Sequence, residues 1–112
     1  MNMNALKEII SDLVDKEKTS AIKNHGYTLS DYEGLALLRE EICEAQSEIK
    51  LIAIWEVALK QSVYRDECHQ YSKLVNEIKQ KAINGACELI QVAAMCDKFK
   101  ESREVRESES KA

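Results

Sequence analysis

Leu6, Ile9, Ile10, Leu13 and Val14 recur at steps of three and four near the start of the chain, the period of one face of an α-helix. The pattern predicts a first helix from about Asn4 to Lys23, stopped by Asn24-His25-Gly26, whose glycine suits a left-handed C-terminal residue. Ser30-Asp31-Tyr32-Glu33 has the S-x-x-E form of a capping box and begins a second helix. Leu35, Leu38, Ile42, Ala45, Ile49 and Ile52 then form a heptad-like seam. From Leu51 to Leu59 the chain is apolar on nearly every face, which in a helix requires cover on more than one side; a subunit interface is one way to provide it, and a strand is the lesser alternative. No glycine or proline marks the turn between Lys60 and Asp66, where Ser62 and Asp66 are both candidate N-caps. A third helix carries Leu74, Val75, Ile78, Ala82, Leu89, Val92, Ala93 and Cys96 from the late sixties to about Phe99.

These elements predict an all-α fold, an antiparallel helical bundle of long helices completed by oligomerisation. The absence of proline removes the strongest helix breaker, and the wealth of Ala, Leu, Glu, Lys and Gln favours helix throughout. The 112 residues make one domain, residues 1–100, followed by a charged tail, 101–112, expected to fray: ten of the last sixteen residues are charged.

Sixteen basic against twenty acidic side chains give a net charge of −4, which repels polyanions and argues against nucleic acid as a partner. The longest apolar stretch is about half a membrane span and contains Glu56, so no membrane association and a cytoplasmic location are expected. The four cysteines stand at 43, 68, 87 and 96, spacings that match neither a zinc knuckle nor a redox pair. They are expected to be reduced, with Cys43, Cys87 and Cys96 filling space between helices.

The chemistry concentrates on the second helix, where Glu41, Glu44 and Glu48 share one stripe at i, i+3 and i+7. Carboxylates so placed repel, and beside an apolar seam they need either water or a cation. A solvated glutamate face is the plain reading of that stripe alone. On the third helix Lys81, Asn84, Glu88, Gln91 and Met95 follow the same spacing, offering a second carboxylate-bearing face. Two such helices facing each other present hard oxygens suited to Mg²⁺, which prefers carboxylates, water and substrate phosphates.

Glu40-Glu41-Ile42-Cys43-Glu44 reads as EExxE, and Glu88-Leu89-Ile90-Gln91 stands where an ExxD segment would follow. Together with Tyr32 to Arg39 and Val92 to Met95, these segments resemble the MazG-like all-α nucleoside triphosphate pyrophosphohydrolases, in particular small phage and prophage members, over roughly residues 25 to 100. The resemblance implies hydrolysis of a nucleoside triphosphate to monophosphate and pyrophosphate with Mg²⁺ as cofactor. It assigns Glu41, Glu44 and Glu88 to the metal, with Glu40 as a further ligand or supporting group and all four in the catalytic set. Gln91 replaces the family's aspartate, bringing a neutral oxygen where the pattern has a charge, and the spacing between the two motifs is longer than in compact members. Helical phase adds Lys81 and Asn84 as candidate contacts to the triphosphate, while Tyr32 and Trp55 are assigned to packing ahead of base stacking.

The competing expectation is a non-catalytic helical-bundle oligomer, a phage accessory or degenerate MazG-like protein whose metal site has decayed. A di-iron carboxylate bundle is excluded because neither histidine, His25 or His69, belongs to a Glu-x-x-His pair. On either reading the chain is expected to form a homodimer or homotetramer.

Overall fold

The computed structural model describes residues 1–111, and these are all-helical, with no strand among them. Helix α1 spans Met3–His25, α2 Asp31–Tyr64 and α3 Tyr71–Lys111, with a short 3-10 turn at Cys68–Gln70. The long helices follow from helix-favouring composition and from ends that are well capped. Asn2 accepts from the Ala5 amide at 2.8 Å to start α1. Gly26, at φ 75°, donates its amide to the Ile22 carbonyl at 2.7 Å to end it. At α2 the expected capping box forms in shifted register. The Glu33 amide donates to Ser30 Oγ at 3.1 Å, while the Glu33 carboxylate accepts from the Leu29 amide at 3.2 Å.

The chain divides into two compact units, one made of Met1–Ile42 and Leu89–Ala112, the other of Cys43–Glu88. In the first, the α1–α2 linker is pinned to the last turns of α3. The buried Thr28 amide donates to Ser102 Oγ at 3.0 Å, and Arg106 donates to the Thr28 carbonyl at 2.7 Å and pairs with Asp31. Tyr27 donates to Glu101 at 3.3 Å, and Lys18 pairs with that carboxylate at 3.1 Å. The expected frayed tail is therefore corrected: α3 continues to Lys111, with Ser102 fully buried. Charge in this segment pairs along the helix, as Arg103 with Glu107 at 3.1 Å, or holds the linker, instead of dissolving the helix into water. Ala112 lies outside the described residues.

Gly34 also positions the first unit. A Cβ there would meet Phe99 Cδ2 at 2.6 Å, closer than side chains pack. Gly34→Ala gains about 1 kcal/mol of helix propensity but overpacks by about 1–3 kcal/mol. The melting temperature should fall by a few degrees, and an unchanged or higher value would mean that the Phe99 ring yields freely.

The second unit is a two-helix hairpin. Arg65, Asp66 and Glu67 amides return to Gln61, Val63 and Ser62 carbonyls, and Asp66 adopts φ 53°. Ser62 and Asp66 thus close α2 and do not cap α3: Ser62 is buried, its hydroxyl donating to the Glu67 carbonyl at 3.1 Å. The strand alternative for Leu51–Leu59 is also corrected, since that stretch is continuous helix. The paired positions run antiparallel. Glu44 faces Glu88, Glu48 lies beside Gly85, and Ala58, Ser62, Gln70 and Leu74 line one small hollow.

Among the described residues the buried hydrophobic side chains are Val14, Ala45, Leu74 and Ala94. Of the seam expected on α2, Ala45 is buried and Leu38 and Ile52 are half-buried, while Leu35, Ile42 and Ile49 are exposed. On α3 Leu74 is buried, but Val75, Ala82 and Leu89 are exposed. Each helix buries a narrower stripe than its apolar pattern offers. The cysteines follow suit: all four are free and exposed, so Cys43, Cys87 and Cys96 are not the buried fillers expected. Among the described residues no helix is long and apolar enough to cross a membrane.

Candidate metal centre

The second unit brings together two acidic segments distant in sequence. Glu44 and Glu48 sit one helical turn apart on α2, and Glu88 closes the facing stretch of α3. Glu44 and Glu88 offer carboxylate oxygens within 4.8 Å of each other. Along the continuous helix α2, half-buried Glu41 precedes Glu44 by one turn.

Electrostatics mark the same place. Burial pushes the Glu88 carboxyl above its ordinary range, its protonated form donates to Glu44, and the charges of Glu44 and Glu48 raise it further. Glu48 Oε2 is buried and accepts no hydrogen bond among the described residues. A carboxylate oxygen withdrawn from water without a donor is costly unless a cation or proton offsets it. That orphaned oxygen, a carboxyl forced toward its neutral form, and an all-oxygen donor set are the environment a hard divalent cation relieves.

The remaining sequence-derived residues occupy the same helices. Glu40 is exposed on α2, one position off the stripe. Lys81 is half-buried and Asn84 exposed, both on the α3 stripe that leads to Glu88; Gln91 is half-buried one turn beyond it. Tyr32, assigned to packing, is exposed at the first turn of α2, whereas Trp55 is half-buried. Sequence reasoning placed Glu48 in the stripe but gave it no role. Its spacing was the available signal; the loss of solvent at Oε2 emerges only on packing against α3.

A separate hollow of about 340 Å³ in the first unit is lined by Asp31, Arg103, Arg106 and Glu107, but these charges pair with one another. No family model matches the chain, and neither a curated protein nor a solved structure is similar to it.

Proposed function

We propose that this chain is a magnesium-dependent nucleoside triphosphate pyrophosphohydrolase of MazG-like type, converting a nucleoside triphosphate to monophosphate and pyrophosphate. The approach of Glu44 to Glu88 from two distant segments, one turn from the unpartnered Glu48 Oε2, supports this reading. Bound magnesium supplies Lewis-acid activation of a triphosphate and of the attacking water.

The chain's residues divide the remaining work. Glu41, Glu44 and Glu88 hold the cation, Glu40 supports them, and the Gln91 amide oxygen stands where a fourth ligand would bring charge. Lys81 balances the negative triphosphate, and Asn84 hydrogen-bonds it. A homodimer or homotetramer completes the helical bundle, since the second unit is two helices that leave Ile49, Ile54, Val57, Val75 and Ile83 exposed. The neutral Gln91 favours the second reading, a non-catalytic helical oligomer.

Pyrophosphate release, measured over a panel of nucleoside triphosphates with and without magnesium, separates the two. Magnesium-dependent release that rises in Gln91→Asp supports the hydrolase. Absence of release across the panel, with Gln91→Asp equally silent, supports the structural oligomer.

A further inference from the structure

Among the described residues, Glu48 Oε2 is the one buried side-chain oxygen that accepts no hydrogen bond. Glutamate carboxylates are almost never withdrawn from water unless something pairs with them. The hairpin explains why this one is drawn inward. Glu48 packs beside buried Gly85, which presents no side chain to it: a Cβ there would lie 3.6 Å from Glu48 Cβ. Cα–Cβ bonds lean toward the N-terminus of their helix, and α2 and α3 run antiparallel in this hairpin. Glu48 therefore leans toward Glu44, while Glu88 leans back toward Gly85 and so toward Glu48. The unpartnered oxygen thus belongs to the same stretch as the Glu44–Glu88 pair, whose oxygens lie within 4.8 Å of each other.

We infer that Glu48 is a further ligand of the divalent cation, its Oε2 joining Glu44 and Glu88 so that the hairpin holds the ion before any nucleotide arrives. The inference rests on the reading of the acidic centre as a metal site. Mg²⁺ usually takes one or two carboxylates and completes its shell with water and substrate phosphates. A third carboxylate from the same hairpin raises the affinity for the ion alone, and binding relieves the cost of an oxygen that no donor meets. The triphosphate then joins a cation already seated, instead of carrying it in.

Titration of the nucleotide-free full chain with Mn²⁺, followed by electron paramagnetic resonance, tests this on the native protein, Glu48→Gln and Glu48→Asp. Glutamine matches glutamate in shape and helix propensity, so that variant keeps its fold, as circular dichroism will register. Aspartate keeps the charge but withdraws the oxygens by one methylene. The native chain should bind the ion, and the dissociation constant should rise at least about tenfold in both variants, the least that losing a group behind a ligand costs. Native affinity in either variant overturns the inference. In Glu48→Gln it would mean that the charge is not needed, and in Glu48→Asp that the carboxylate acts only as a charge at a distance. Both results leave Glu44 and Glu88 as ligands. A native chain that binds Mn²⁺ only together with a non-hydrolysable triphosphate also overturns the inference and spares the metal site. Binding under neither condition removes both.

Discussion

Glu44→Gln and Glu88→Gln should each lower magnesium-dependent pyrophosphate release at least about 100-fold, since even partners behind the ligands of a metal site cost 10–100-fold when removed. The same substitution in Glu88 should leave the metal-free chain as stable as before or more so. Desolvation, Glu44 and Glu48 already hold its carboxyl above the ordinary range. The native state therefore binds this proton more tightly than the unfolded chain does. The stability gained is full below the unfolded value, near 4.5, and is lost as pH rises through the raised folded value. At neutral pH the ionised group is a cost, and glutamine removes it. Loss of turnover without loss of stability identifies a ligand; a residue serving only the fold would give the reverse. Release of pyrophosphate by Glu88→Gln at the native rate would remove this residue from the site.

The largest effect on stability should come from Leu74→Ala. Leu74 is one of only two buried hydrophobic side chains in the second unit among the described residues, the other being Ala45. Deleting a buried leucine costs about 2–5 kcal/mol, because transfer energy is lost and the cavity is only partly closed by relaxation. In a chain this small that lowers the melting temperature by roughly 10–20 °C. Cooperative unfolding followed by circular dichroism reads it directly. A drop of less than about 2 °C would mean that Leu74 is not a principal contact of the hairpin.

The contrast between these residues explains how much was legible in the sequence. Helix existence was, because Leu6 to Val14, Ser30 to Glu33 and the absence of proline all act within a few residues of one another. The stripe of Glu41, Glu44 and Glu48 was legible for the same reason, since helical phase is local. Which apolar positions become buried was not. Ile49 and Ala45 belong to one predicted seam, yet only Ala45 is buried, because two packed helices cover a narrower strip than periodicity marks. The end of α3 was hidden likewise. Ser102 and Arg106 lie in a polar run whose partners, Thr28 and Asp31, are far away in sequence. Glu48 shows both sides: its spacing was visible, but the burial of Oε2 depends on the approach of α3.

Binding of Mn²⁺, a paramagnetic stand-in for magnesium, can be followed by electron paramagnetic resonance with the native chain and with Glu44→Gln and Glu88→Gln. If Glu44 and Glu88 hold a cation, the native protein binds the ion, Mg²⁺ displaces it, and both variants lose most of the binding. Equal binding by all three proteins, or none by the native chain, would contradict that assignment.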